Sequence, residues 1–349
     1  MRYFFKSVFY VFLLMFLVTS IETFSQPQLT LPDASQSATV SQRIGLTDIS
    51  ITYNRPGVKG RNVFGELVPY DQVWRAGANK NTTVSFSTDI MVEGKKLSAG
   101  TYGLHMIPSK NEWTIIFSKN NWSWGSFNYD EGEDALRVKI KPQSGEFTEW
   151  LQYTFESADP NSTIIALNWD KTKAGFKVEV DVKTQVLASF RKQFDDLPGF
   201  FWQPWNQAAN YCLQNKFNLD EALTWADRSI GINRTTQNQV TKIMLLEELG
   251  RKSEADQLKG TAFENATEAD VNAAGYQFLF AGKIDDAINV FKMNTENHPD
   301  SWNVWDSLAE GYMNKGDKDL ATKFYNKALG MAPENQKARI NQLLGQLKM

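Results

Sequence analysis

The chain has few of the side chains on which most metal and thiol chemistry depends. Cys212 is the only cysteine, and His105 and His298 are the only histidines, among 349 residues. No intramolecular disulfide can form, and a transition-metal site rich in nitrogen and sulfur ligands is excluded. Catalysis by the thiol would need a nearby histidine. Since Cys212 follows Tyr211 on an apolar helix face, we expect it to be a small buried side chain. The sequence therefore predicts no metal and no cofactor.

An excess of basic charge is also missing. The formal net charge is −3 and the isoelectric point is near 5.6. A nucleic-acid partner usually requires a basic domain, so such a partner is not expected. No long run of one charge sign suggests a tail or a membrane-surface patch.

No apolar run is long enough to span a bilayer, which takes roughly 20 residues. The run from Val8 to Val18 has 11 residues and follows Arg2 and Lys6. Small residues follow it, and cleavage before Gln26 is compatible with them. This pattern is typical of a secretory signal peptide over residues 1–25. We therefore expect a periplasmic or extracellular protein, exported across the inner membrane, without a stable membrane anchor.

The signatures of common enzyme classes are missing as well. The chain has no Gly-x-Ser-x-Gly, no His-Glu-x-x-His, no phosphate loop and no dinucleotide-binding fingerprint. The sequence accordingly predicts no catalytic residue. A hydrolase that uses paired carboxylates stays open, because such pairing is not visible in a sequence.

What the second half does contain is a repeat. Ala222, Ala255, Ala287 and Ala321 follow one another at spacings of 33, 32 and 34 residues. A period near 34 residues is typical of stacked helix pairs, and the best copy, from Trp302 onward, resembles the tetratricopeptide (TPR) repeat. Such repeats bind proteins or peptides. The predicted packing positions are Ala287, Phe291, Trp305, Leu308, Tyr312, Ala321, Tyr325 and Ala328.

The first half has the pattern of β-structure. From about residue 35 to residue 183, short runs rich in Val, Ile, Thr and aromatics are interrupted by Gly, Asn, Asp and Pro. The Glu93-Gly94 pair suits a tight hairpin turn. We predict an α+β multidomain protein, with an N-terminal antiparallel β-sandwich over residues 26–183 and a C-terminal α-solenoid of TPR-like helical hairpins over residues 203–349. Residues 184–202 would form a connecting helix.

Several motifs of the first half resemble the DUF2911 family of exported proteins. They occur in order at Tyr53–Arg61, Val73–Asn79, Ala99–Tyr102 and Glu112–Phe117. The resemblance covers roughly residues 30–183. It implies no established activity, and it agrees with the repeats that follow, because this family is frequently joined to TPR repeats.

A basic and aromatic cluster is the strongest candidate for a small-molecule site. Arginine donates two parallel hydrogen bonds to carboxylate, sulfate or phosphate, and nearby glycines let backbone approach a ligand. The candidate ligand-binding residues are Arg55, Lys59, Arg61, Trp74, Arg75, Asn79 and His105. In the competing interpretation, Arg55 and Arg75 are tied to Glu66, Asp71 or backbone carbonyls and only hold loops in place.

His105 allows two interpretations. Its pKa range suits an acid or base near neutral pH. Alternation along the predicted strand places it on the same face as Gly103 and Ile107, which favours a partly buried, structural role.

The segment from Asn120 to Asp134 combines four aromatic residues with four carboxylates. In one interpretation, the aromatic side chains of this loop fold back onto the sandwich. In a second, they stack on a glycan. In a third, the carboxylates bind calcium, although their spacing matches no calcium-binding loop.

Together these features predict an exported two-domain binding or scaffold protein whose solenoid engages a protein or peptide. The other candidate is an enzyme, or a carbohydrate- or anion-binding module, that acts through the Arg/Trp cluster of the β-sandwich.

Overall fold

The computed structural model describes residues 32–157 and 159–348. The chain divides into two compact units between Val182 and Lys183. The predicted signal peptide and its cleavage site lie outside the described residues.

The first unit consists of two antiparallel sheets. Six strands form the first sheet in the order β1-β2-β3-β6-β7-β8, and four form the second in the order β5-β4-β10-β9. The strands are β1 (Gln36–Ile44), β2 (Thr47–Arg55), β3 (Thr82–Phe86), β4 (Ile90–Val92), β5 (Lys95–Leu97), β6 (Gly100–Ile107), β7 (Trp113–Ser118), β8 (Asp134–Ile140), β9 (Gln143–Phe155) and β10 (Ser162–Glu179).

Alternation along the strands places the core between these sheets. On β2, Ile49, Ile51 and Tyr53 are buried and share one face, because side chains alternate with a period of two. Trp113 from the first sheet and Trp169 from the second are fully buried in the same apolar cluster. The antiparallel β-sandwich predicted from the sequence is confirmed.

Two strands are hard to recognise from the sequence. In β1 most side chains are polar and several are exposed, so the apolar alternation typical of a strand is missing. β10 is one strand of 18 residues, although its sequence pattern predicts two strands, Thr163–Trp169 and Phe176–Val182, and its register against β9 shifts around Asp170, whose φ is +54°. Such a bulge bends a strand without ending it, so polar residues inside it look like a break in the sequence.

The second unit is helical. Over the described residues its helices are α1 (Val182–Phe194), α2 (Trp202–Gln214), α3 (Leu219–Ile232), α4 (Thr236–Glu248), α5 (Lys252–Lys259), α6 (Glu268–Phe280), α7 (Ile284–Asn297), α8 (Trp302–Lys315), α9 (Lys318–Met331) and α10 (Glu334–Leu347). They pack as successive hairpins, α2 with α3, α4 with α5, α6 with α7 and α8 with α9, while α10 packs on α9. None of the described helices is both long enough and apolar enough to cross a membrane.

The repeat alanines explain this arrangement. Each of Ala222, Ala255, Ala287 and Ala321 lies in the second helix of a hairpin and is fully buried. A small side chain lets two helices approach closely. The TPR-like solenoid predicted from the sequence is confirmed. Seven of the eight predicted packing residues are buried, and the eighth, Trp305, is partly buried and donates its indole N–H to the Pro299 carbonyl.

The predicted connecting segment packs on the helical core. From α1, Phe190 contacts the edge of Trp225, and Phe194 stacks on Trp205 with ring centroids 3.7 Å apart. Arg191 forms a two-pronged ion pair with Glu221 of α3. Residues 183–202 therefore belong to the helical unit and cover its first hairpin.

Candidate functional site

Strand register brings two of the predicted site residues together on the outer face of the first sheet. Trp74 and Met106 exchange both backbone hydrogen bonds, at 2.8 Å each, so the neighbouring residues Arg75 and His105 stand opposite each other. The same cross-strand row continues from His105 to Ile116 on β7 and then to Arg137 on β8. Arg75, His105, Ile116 and Arg137 are called the outer row below.

A loop between β7 and β8, residues 119–133, covers the outer row. Its backbone is held by Asn81 N–H donating to the Ser123 carbonyl and Gly125 N–H donating to the Asn79 carbonyl. The Tyr129 ring lies 5.3 Å from the His105 ring, between centroids. The middle of the row is buried, since Ile116 and His105 are 0% and 2% exposed.

Arg137, at one end of the row, forms hydrogen bonds and ion pairs with neighbouring side chains of the same chain. Its guanidinium donates to the Asp134 carboxylate and the Tyr129 hydroxyl, and it pairs with Glu131. Burial alone would lower the pKa of Arg137, but the hydrogen bonds to Tyr129 and Asp134 raise it. Burial together with Asp134 raises the pKa of Tyr129 to about 12. Arg137 is therefore a structural cation.

His105 is only 2% exposed, and its Nδ1 lies 2.9 Å from Ser126 Oγ. Burial lowers its pKa to about 4, because the charged imidazolium loses its solvation, and Asp134 opposes this only in part. The ring is therefore neutral at pH 7. A neutral, hydrogen-bonded His105 serves to hold Ser126, and with it the covering loop, on the sheet.

Arg75, at the other end of the row, has no such partners. Among the described residues, no carboxylate lies within 4.0 Å of it and no hydrogen bond reaches its side chain. Its Nε is buried and unpartnered, and burial lowers the pKa of the group. Gly125 makes room for it: a Cβ at that position would lie 3.0 Å from both Arg75 Nη1 and the Phe127 ring.

The other predicted ligand residues do not join this site. Trp74 is partly buried and packs against the sandwich core, stacked on Trp169 with ring centroids 5.8 Å apart. Arg61 donates to the Gly57 and Val58 carbonyls of its own loop. Lys59 lies over the Trp150 ring, 5.9 Å from its centroid.

Arg55 donates to the Leu151 carbonyl at 2.9 Å, which agrees with the competing interpretation of a loop-holding role. Neither Arg55 nor Arg75 pairs with Glu66 or Asp71 in the part of the chain that the structure describes. The side-chain amide of Asn79 donates a hydrogen bond to the Ser35 carbonyl at 3.3 Å. The backbone carbonyl of Asn79 accepts a hydrogen bond from the Gly125 N–H of the covering loop.

The expectation that the aromatics of residues 120–134 fold back onto the sandwich is wrong for three of the four. Trp122 is 82% exposed, Phe127 is 80% exposed, and Trp124 is also exposed. Only Tyr129 packs inward, because its hydroxyl has Asp134 and Arg137 as partners. Within residues 32–157 and 159–348, no group of three or more His, Cys, Asp or Glu side chains is arranged to hold a metal ion.

The helical unit contributes a groove along the first helices of its hairpins, α2, α4 and α6, which contact one another in succession. The groove has a volume of about 440 Å³. It is lined by Asn210, Leu213, Gln214, Lys216, Met244, Glu248, Gln277, Phe280, Ala281 and Lys283. Phe280 is 81% exposed there. Sequence reasoning did not single out these residues, because none of them is a packing position of the repeat.

Three of the solved structures that are similar to this chain each cover less than half of it. MamA from Desulfovibrio magneticus RS-1 is 14% identical, with a TM-score of 0.26 over 42% of this chain and 82% of MamA. The pilF protein of Pseudomonas aeruginosa is 12% identical, with a TM-score of 0.27 over 42% of this chain and 67% of pilF. A chain of the APC/C hetero-tetramer Cut9-Hcn1 is 18% identical, with a TM-score of 0.28 over 47% of this chain and 33% of that one. No curated protein matches the sequence.

A family match covers most of the β-unit. Residues 35–178 match the family described as a protein of unknown function, DUF2911. The match includes every strand from β1 to β9, all of β10 except its last residue, and the whole outer row. This match over residues 35–178 confirms the resemblance that the sequence motifs indicate.

Proposed function

We propose that this protein is an exported binding scaffold whose helical unit holds an extended, uncharged segment of a protein partner in the groove described above. The observation that carries the proposal is Phe280, a large apolar side chain that is 81% exposed inside a concave surface. An exposed aromatic in a concave site is the usual anchor for a partner's apolar side chain.

The polar groups of the groove favour a polypeptide backbone as the occupant. The side-chain amides of Asn210 and Gln214 line the groove, and within the described residues they have no hydrogen-bond partner. A side-chain amide has both a hydrogen-bond donor and a hydrogen-bond acceptor. It can therefore bond to the C=O and the N–H groups of an extended polypeptide segment.

The charges of the groove favour an uncharged segment. Lys216 pairs with Glu248 at 3.2 Å, and Lys283 pairs with Glu247 at 2.7 Å. Because both lysines at the groove already pair with a carboxylate, neither is free to attract an acidic segment.

A peptide display library panned against the full-length protein tests this. We expect enrichment of sequences with an apolar anchor and few charges, and Phe280→Ala should weaken their binding by about tenfold or more. Phe200→Ala is the matched control, because Phe200 is 76% exposed on the same unit but does not line the groove. Enrichment of charged sequences, or equal effects of the two variants, would contradict the proposal.

Export rests on the sequence of residues 1–25 and has its own test. Expression of the full-length chain in a Gram-negative host, followed by N-terminal sequencing of the protein in the periplasmic fraction, should give a chain beginning at Gln26. Intact protein confined to the cytoplasm would show that the segment is not a signal peptide.

A further inference from the structure

We infer that the β-unit binds a small aromatic carboxylate. Arg75 would form an ion pair with the carboxylate group, and the Phe127 ring would pack against the aromatic ring of the ligand.

The two arginines of the outer row, Arg75 and Arg137, differ in their hydrogen-bond partners. The guanidinium of Arg137 donates hydrogen bonds to Asp134 and to the Tyr129 hydroxyl, and it forms an ion pair with Glu131. Arg75 stands on the same face and beneath the same loop, yet the loop offers it no acceptor. An unpaired, partly buried cation is costly unless something else solvates it. The chain therefore leaves this one guanidinium available to an external anion.

Gly125 of the covering loop lies beside both Arg75 and Phe127. Gly125 has φ of +68°, a left-handed conformation that favours glycine, and its Cα faces Arg75 Nη1 and the Phe127 ring on the same side. Nη1 and the ring therefore border the same space. Phe127 is 80% exposed, so a planar apolar group beside it would remove water from the ring.

Charge near the site favours a carboxylate over a phosphate. Asp130, Glu131 and Glu133 are exposed on the same loop, and the neutral His105 opposite Arg75 adds no second cation. A single guanidinium beneath a loop that carries several carboxylates suits a monoanion, whereas a dianion would meet more repulsion. Arginine binds a carboxylate through paired N–H donors, which gives the interaction its direction.

The inference does not depend on the helical unit or its groove. The test uses the full-length protein and indole-3-acetate as the probe, with titrations followed by NMR chemical shifts. Indole-3-acetamide is the neutral control of nearly the same shape, and inorganic phosphate is the control for a nonspecific anion. We expect the acid to bind at least about tenfold more tightly than either control, since the charge-assisted pair is the main attraction.

Two variants locate the site. Arg75→Gln should abolish the preference for the acid over the amide, whereas Arg55→Gln, which removes an arginine hydrogen-bonded to a carbonyl, should retain it. Phe127→Ala should weaken the acid and the amide alike by several-fold. If Arg75→Gln unfolds the β-unit, Phe127→Ala still decides the matter, because Phe127 is exposed and its loss should not affect folding. Equal binding of acid and amide, tighter binding of phosphate, or unchanged binding in Phe127→Ala would overturn the inference.

Discussion

The Phe291 ring packs directly on Gly275, so that a Cβ on Gly275 would come within 2.3 Å of Phe291 Cε1. The other side of the same ring approaches Gly311, where a Cβ would lie 3.2 Å from Phe291 Cδ2. Phe291 of α7 is thus inserted between the first helices of two successive hairpins, α6 and α8. The size of this ring, rather than backbone conformation, requires glycine at position 275, whereas at Gly311 the ring and Ile288 leave only a tight space for a side chain.

Gly275→Ala should therefore destabilise the helical unit, although alanine is the better helix former by about 1 kcal/mol. The ring is fully buried and cannot move aside, and overpacking typically costs about 1–3 kcal/mol. Gly345→Ala is the control, because it also lies in a helix but has no heavy atom within 4 Å of its added Cβ. Urea unfolding should show opposite signs for the two variants. A stabilising Gly275→Ala would mean that the hairpins are less tightly packed than described.

A second variant tests the repeat register. Ala321 is fully buried in α9, so Ala321→Leu should lower the free energy of unfolding by about 1–3 kcal/mol. Lys318→Ala, on the exposed side of the same helix, should change it by less than about 0.5 kcal/mol. Thermal melting of both proteins provides the comparison. Small and equal effects would place the alanines outside the helix contacts.

The two units should fold separately. Each has its own buried apolar cluster, and the chain divides between them at Val182. A fragment of residues 26–183 should unfold cooperatively with β-type circular dichroism, and a fragment of residues 184–349 should be helical. Failure of both fragments to fold alone would show that neither core is sufficient.

Acid should weaken the β-unit through His105. The pKa of this histidine falls from about 6.5 in the unfolded chain to about 4 in the fold. Between these values the unfolded chain binds the extra proton, so the stability of the fold rises with pH through this window and is lost as pH falls. The expected loss from pH 7 to pH 4 is of the order of 2–3 kcal/mol.

Urea unfolding of the 26–183 fragment at several pH values measures this loss. His105→Gln should flatten the dependence between pH 4 and 6.5, while the contribution of the carboxylates below that range remains. The same pH dependence in the variant would assign the acid sensitivity to other groups.

The sequence predicts local features of this protein better than it predicts its site. The alanine period is visible because each repeat packs on its neighbour in the same way, so Ala287 and Ala321 occupy equivalent positions. The outer row cannot be predicted from the sequence, because the position of Arg75 opposite His105 depends on the backbone register between segments 30 residues apart. Trp74 and Arg75 are adjacent in the predicted cluster, yet they point to opposite faces, one into the core and the other beneath the covering loop.

The long strand β10 also bears on the order in which the first unit assembles. Its first half pairs with β9, the strand just before it, while Val178 near its end pairs with Val92 of β4. The β4–β5 hairpin is made early in synthesis, but its neighbour in the sheet is the last strand of the unit to leave the ribosome. The second sheet therefore cannot form completely until nearly the whole unit has been synthesised, and until then one edge of β4 has no partner strand. During synthesis, this open edge of β4 can pair with strands of other chains, which is a route to misassociation.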